Sequence, residues 1–267
     1  MNPPFPQPLR GVRSRTHLQP QPAQFAPNAK SFPAALRETA MLALALVLYL
    51  FVRNLIRDKA GIAFANADRL VDLERWLGVF WEPGLQTWAL GHDWLITAAN
   101  WIYVWTYWPT LAGTMIWLFL RHRSALPIYR NALLLSGAIG LIGFATFPLA
   151  PPRFLSSHGF VDTVAMGSDA YATLYPSSVA NWYAAMPSLH VGWTLLMGIA
   201  LMRQSRHPLI RGIGIGLPLA MFAATVLTAN HYLADGVVGA LVALVGLMLA
   251  RMLSGRFDRR QLMRSIS

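Results

Sequence analysis

Residues 95–120 read LITAANWIYVWTYWPTLAGTMIWLFL, a run with no Asp, Glu, Lys, Arg or His. A helix needs about 20 apolar residues to cross the hydrocarbon core of a bilayer, so this run alone is long enough to span. The rest of the chain agrees with it. Of 267 residues, 55% are hydrophobic and 12% charged, against about 25% charged in a typical soluble domain. Those values exclude an ordinary water-soluble globule and wholesale disorder. There is no cysteine, which excludes disulfides, thiolate nucleophiles and thiolate metal ligands.

Working outward from that run, five further apolar stretches recur, near 36–55, 131–150, 183–202, 212–230 and 232–252. The expected fold is therefore all-α, a polytopic bundle of six transmembrane helices. Pro218 lies inside the fifth stretch, where a membrane helix accommodates it by a kink or local re-pairing. Ten tryptophans, many near segment ends, suit anchoring at the membrane surface. Residues 66–86 read NADRLVDLERWLGVFWEPGLQ. Leu70, Leu73, Leu77 and Phe80 recur at helical spacing while Asp68, Asp72, Glu74 and Arg75 occupy other faces. That pattern predicts an amphipathic helix lying at the interface between the first and second spans. Residues 153–182, with Tyr171, Tyr175 and Trp182, make a polar aromatic loop too long for a plain connector, hence an expected lid or substrate rim.

The chain carries a net charge of +11, and position explains it. With the amino terminus inside, the tails and the two inner loops collect 16 of the 22 cations and two of the 11 acids, giving +14 inside and −3 outside. This bias is what topology imposes on Lys and Arg. It predicts an integral protein of the plasma membrane with both termini cytoplasmic. It also removes the reason to expect a nucleic-acid partner, and no glycine-rich nucleotide loop is present. Residues 1–33 hold eight of the 18 prolines and no apolar core of a signal peptide; they read as a disordered, basic cytoplasmic tail. The expected division is this tail, a membrane domain over 34–253, and a second basic cytoplasmic tail over 254–267.

Polar groups at membrane depth are costly and mark function by default. In Asn230-His231-Tyr232-Leu233-Ala234-Asp235 the carboxylate stands one helical turn beyond the imidazole and can reach it. A carboxylate on one ring nitrogen fixes the tautomer and leaves the other as nucleophile or base. His190 closes Met186-Pro187-Ser188-Leu189-His190 at the start of the fourth span. Free backbone donors there, with the Ser188 hydroxyl, attract anions. Arg153 follows the third span. By the charge count, His190, His231, Asp235 and Arg153 fall on one extracytoplasmic face. Two imidazoles, a carboxylate and a guanidinium suit a phosphate group. The remaining histidines (His17, His92, His122, His158, His207) read as solvated. Asn100, Asn181 and Thr146 fit either substrate contact or interhelical hydrogen bonding. Gly212, Gly214 and Gly216 read as sites of close helix packing. A metal held by His190, His231 and Asp235 is disfavoured by the nearby positive Arg153.

At these residues the sequence resembles the type 2 phosphatidic acid phosphatase superfamily of membrane lipid phosphatases and phosphotransferases. Pro187-Ser188-Leu189-His190 looks like its second motif, Pro-Ser-Gly-His, and His231 to Asp235 looks like its third. The resemblance implies that His231 is the nucleophile that becomes phosphorylated, Asp235 its orienting group, and His190 the general acid and base. Arg153, Ser188 and Asn230 are the expected phosphate-binding residues. Thr146 stands where the first motif has Lys, Phe154 follows Arg153 in place of Pro, and Ala224 and Thr225 replace the Ser-Arg that precedes the third-motif His. Two phosphate-binding cations are thus missing. Phe147-Pro148-Leu149-Ala150-Pro151-Pro152-Arg153, the His-Tyr-x-x-Asp string and the stretch around 73–86 look more like inositol phosphorylceramide and sphingomyelin synthases. The expected function is a metal-independent, cofactor-free lipid phosphatase or phosphotransferase, working through a phosphohistidine. Its partners would be a phospholipid or lipid-phosphate substrate and a lipid alcohol acceptor. The competing reading is a non-enzymatic transporter with a His/Asp proton relay, although no internal repeat is seen.

Overall fold

The computed structural model describes residues 31–56, 58–163, 165 and 182–266. Of residues 1–33, expected to be disordered, 1–30 lie outside the described residues, as do Tyr171, Tyr175 and Asn181, whereas 31–33 are helical and depart from that expectation. Two compact units divide the chain at Leu42 and Ala43. The first contains, among described residues, only the beginning of α1 (Ser31–Ile56). The second holds α2 (Ala60–Trp76), α3 (Glu82–Leu90), α4 (Asp93–Trp101), α5 (Tyr107–Arg121), α6 (Leu126–Thr146), α7 (Leu189–Gln204), α8 (Pro208–Leu227) and α9 (Leu233–Ile266). No strand occurs among the described residues; a single bridge joins Leu149 to Ala184. The chain is all-α. Among the described residues three helical stretches are long and apolar enough to cross a membrane: Leu126–Thr146, Pro208–Leu227 and Leu233–Ser254.

The uninterrupted run that opened the reading is not one regular helix. α4 passes into a wider π turn at Ile102–Thr106 before α5 begins. Pro109 stands just beyond it. A proline has no N–H and its ring crowds the carbonyl four residues back, and a π turn at that place takes up the mismatch. The stretch 66–86 also differs from expectation. It forms parts of two helices, α2 and α3, separated by a turn with Gly78 at φ 71°. The buried face of α2 is Ala63, Asn66, Ala67, Leu70, Val71 and Glu74, whereas Leu73 and Leu77 are exposed. The leucine stripe therefore does not mark the packed face; a stripe of small and polar residues beside it does. The last run continues as helix to Ile266 instead of stopping near 252.

α8 packs along α7, and α9 packs against both α6 and α7. Small residues set these approaches. A Cβ at Gly192 would come 2.6 Å from the Gly239 carbonyl, and one at Gly214 would come 2.7 Å from that of Gly198. Gly212 and Gly216 face open space, so of the three glycines expected to mediate packing only Gly214 does. Leu118, Tyr129, Ala132, Leu196, Met197, Ala243 and Leu247 form the middle of the bundle. A second core, with Ala67, Leu70, Val71, Leu149, Ala150, Phe160, Ala185, Ala229 and Tyr232, closes one end. The end of α6, the start of α7, the end of α8 and the start of α9 all converge on that second core, and the site lies there.

Candidate active site

The turn from α8 to α9 carries two of the expected residues. α8 ends when Ala229 enters the left-handed region at φ 52°. Ala229 N–H then donates to the Val226 carbonyl at 2.9 Å, and Asn230 N–H to that of Thr225 at 2.9 Å. This is the double hydrogen bond of a Schellman cap, with alanine where glycine is usual. The cap throws the chain back so that His231 precedes α9 by two residues. His231 Nδ1 lies 2.9 Å from the Ala185 carbonyl and 3.3 Å from Asp235 Oδ2. Both neighbours are acceptors, so Nδ1 carries the ring proton and Nε2 keeps the lone pair. Burial, assisted by the charge of Arg153, holds this imidazole neutral by pushing its pKa below the ordinary value; the bond to Ala185 opposes them. Asp235 Oδ2 also accepts the Tyr232 N–H at 3.0 Å, which fixes the carboxylate within the first turn of α9.

His190 reaches the same place from α7. Its ring centroid is 5.8 Å from that of His231 at an interplanar angle of 54°, and Tyr103 and Tyr107 flank it at 4.7 and 4.3 Å. Ser188 caps α7, its hydroxyl accepting the Val191 N–H at 3.4 Å. Ser188 N–H donates to the Asp235 carbonyl at 3.0 Å, so the two helix starts are pinned together. Only a glycine at 239 allows this, because a Cβ there would overlap the Ser188 carbonyl. Leu189, which departs from the glycine of the motif, packs on α6 where Gly140 makes room: a Cβ there would be 3.0 Å from Leu189 Cδ2. Pro187 and Trp193 fit against Gly143 and Gly137 in the same way. The departure is thus compensated by a row of glycines on α6.

Arg153 approaches on the loop after α6. Asn66 donates to the Pro148 carbonyl at 2.9 Å, and the Tyr232 hydroxyl to that of Ala150 at 3.2 Å. Arg153 N–H donates to the Ala229 carbonyl at 2.8 Å, tying the arginine to the turn that carries His231. Its guanidinium is nearly buried, 3.5 Å from Asp162 and stacked over Phe154 and Trp182. Both imidazoles feel its charge. His190, His231, Asp235, Ser188 and Arg153 are therefore brought together.

Asn230 is there too, but its chemistry is not that of an anion holder. The Thr228 hydroxyl donates to the Ala224 carbonyl at 2.7 Å, so towards Asn230 it can only accept. The amide nitrogen consequently faces Thr228 at 2.8 Å, and Oδ1 is left buried without a partner. A bare acceptor repels phosphoryl oxygens and fits a group that brings a hydrogen. Other expected contacts are spent elsewhere: Thr146 bonds back to Ile142, and Asn100 pairs with Thr163. His158 is not simply solvated, since it links Arg75 at 3.1 Å to Asp68 at 3.0 Å.

Two acidic residues at the site escaped the sequence reading. Glu82 Oε1 accepts the Leu233 N–H at 2.9 Å and Glu74 Oε1 the Ala234 N–H at 3.3 Å, so both carboxyls cap α9 from α3 and α2. Both are buried, and Oε2 of each has no partner. Burial, and next the charge of Glu82, push the Glu74 carboxyl up to about 8. The available signal was Glu74 in register with Asn66, Ala67, Leu70 and Val71, a stripe hidden by the more hydrophobic leucines next to it.

Comparison with known proteins gives the family and no site residues. No curated protein and no solved structure matches the chain. A family model described as the PAP2 superfamily matches residues 68–249, a span that includes α3 to α8, most of α2, the first half of α9 and every residue brought together at the site. The chain belongs to the PAP2 superfamily.

Proposed function

We propose that the protein is an integral membrane lipid phosphatase or phosphotransferase that works through a phosphohistidine at His231. The observation that carries this reading is His231 itself, held by Nδ1, presenting Nε2 beside His190 and within the field of Arg153. Nε2 attacks phosphorus, the bond to the leaving oxygen breaks, and His190 delivers a proton to that oxygen. Arg153 and the Ser188 hydroxyl hold the phosphoryl oxygens. In the second half His190 takes the proton of a water or lipid alcohol, whose oxygen attacks phosphorus and breaks the P–N bond, restoring His231. The unpartnered Oδ1 of Asn230 favours a hydroxyl-bearing acceptor there, in keeping with transfer of an inositol-phosphate-type headgroup.

The same reading takes α1, α4–α5, α6, α7, α8 and α9 as six spans, with the site on the extracytoplasmic side and α2–α3 at the headgroups. Exposed Trp76, Trp81, Trp88 and Trp94 support that placement. The test is incubation of purified protein with a panel of phospholipids and alcohol acceptors, followed by mass spectrometry of products and of His231. His231→Ala and Asp235→Asn are expected to lower turnover at least about 10²-fold with expression intact. Near-wild-type turnover by His231→Ala would remove the nucleophile. A transporter with a proton relay would form no product and trap no phosphate.

A further inference from the structure

The first turn of α9 supports His231 and Asp235, and two glutamates from outside the helix hold it. Each uses one oxygen on a backbone N–H, Glu82 on Leu233 and Glu74 on Ala234. Each is left with a buried Oε2 that finds no partner, and the nearby Asp235 adds a third buried carboxyl. Unsatisfied buried acceptors cost about 1–3 kcal/mol apiece, and three full negative charges in so dry a space would repel strongly. A helix start offsets only about half a unit of charge. Among the described residues no cation is paired with them: Arg75, next in sequence to Glu74, is turned to Phe80 and His158, and Arg153 engages Asp162. The other titratable groups facing Glu74 are Glu82 on α3 and Asp235 on α9; Tyr232, in the turn, feels the charges of Glu74, Glu82, Asp235 and Asp68. Among the described residues no group of three acids or histidines is disposed to hold a metal. One proton remains as the economical solution: Glu74 and Glu82 are within hydrogen-bond reach of each other, and a hydrogen between them satisfies two of the three orphaned carboxyl oxygens, leaving Asp235 Oδ1, and removes one charge.

We propose that Glu74 and Glu82 share a single proton and together clamp the first turn of α9, which makes them positioning residues for His231 and Asp235. The proposal rests on the reaction proposed above for its functional half. The Glu74 carboxyl, pushed up to about 8 by burial and by the charge of Glu82, agrees with a proton held there to the alkaline side of neutral. Above that pH the pair gains a charge beside Asp235, the start of α9 loosens, and the imidazole loses its alignment.

The experiment uses full-length protein with mixed micelles of phosphatidic acid and phosphatidylinositol, followed from acid to alkaline pH. The wild type is expected to lose kcat on the alkaline side near pH 8. Glu74→Gln supplies a permanent hydrogen to Glu82, so it retains activity at neutral pH and loses that alkaline limb. Glu74→Ala leaves Glu82 without its partner and is expected to lower kcat about 10- to 100-fold with little change in KM, as removal of an outer-shell orienting group commonly does. An alkaline limb unchanged in Glu74→Gln, or Glu74→Gln as inactive as Glu74→Ala, overturns the positioning role. Infrared titration of the same proteins reads the pair without turnover: a protonated-carboxyl band should bleach near pH 8 in the wild type and be missing from Glu74→Gln. If the band is absent from the wild type, the shared proton is refuted. If it is present but no lipid is consumed, the fault lies with the reaction and not with the pair.

Discussion

Ala229 holds a backbone conformation that glycine adopts freely and alanine does not. The left-handed region costs a residue with a Cβ about 1–2 kcal/mol, and the double hydrogen bond of the cap keeps it there. Replacing Ala229 with Gly removes that strain while giving the unfolded chain more freedom, a loss of about 0.4–1 kcal/mol. The net expectation is a gain of up to about 1 kcal/mol in stability, read as a higher Tm in detergent. Glu74 supplies the opposite case. Its carboxyl keeps its proton to about pH 8 in the folded protein, against an ordinary 4.5. The folded state therefore binds the extra proton between those values. Stability from this group is complete below about pH 4.5 and is lost as pH rises through about 8. Tm should fall with pH across that window in the wild type and fall less in Glu74→Gln. The meeting of His231 with Asp235 was legible in the sequence because it depends on i, i+4 spacing, and His190 could be placed beside them because it opens a helix at the same end of the bundle. Glu74 and Glu82 were not, because the N–H groups they accept lie 160 and 151 residues further on, and the small, polar stripe that buries Glu74 is masked by the leucines beside it. For Asn230 the sequence gives the place next to His231 but not which end of its amide is free, since that depends on a proton already committed by Thr228.

Among elements, close approach is decided by glycine on one side and backbone on the other. A Cβ on Gly239 would overlap the Ser188 carbonyl, and Ser188 is bonded through its N–H to Asp235. Gly239→Ala should therefore part α7 from α9 at the level of the two imidazoles, costing about 1–3 kcal/mol as overpacking usually does and lowering activity further than the stability change accounts for. Gly212→Ala is the internal contrast, because nothing lies within 4 Å of a Cβ there. A helical alanine is favoured over glycine by about 0.5–1 kcal/mol, so this variant should keep activity and melt no lower than the wild type. Thermal melts paired with turnover on the same preparations separate the two. Such differences are hidden from sequence, which shows Gly212, Gly214 and Gly216 as equals; which one meets a neighbour depends on how α7 and α8 are rotated. Similarly, the apolar run over 95–120 is helical as expected, and its division by a π turn at Ile102–Thr106 follows from Pro109 just beyond it, a breaker overshadowed by the apolar residues around it.

For the molecule as a whole, the bundle has two ends, and the polypeptide visits them alternately. The turn 204–208, between α7 and α8, lies at one; the segment after α6 and the turn from α8 to α9 lie at the other with the site. The apolar runs and the uneven placement of arginine made this alternation readable, because bilayer thickness and charge bias act on composition and need no tertiary detail. Its orientation can be measured directly, since the chain has no cysteine and any introduced thiol reports alone. Ser157 is exposed beside the site, and Arg206 is exposed in the turn at the far end. With the charge bias as guide, Ser157→Cys in intact cells should react with a membrane-impermeant maleimide added outside. Arg206→Cys should react only after the membrane is opened. Reversed labelling would turn the protein over and place the site in the cytoplasm, leaving the chemistry untouched but changing which leaflet supplies the lipid. Labelling of both from one side would mean that the helices between them do not cross, and the membrane-spanning bundle would have to be abandoned.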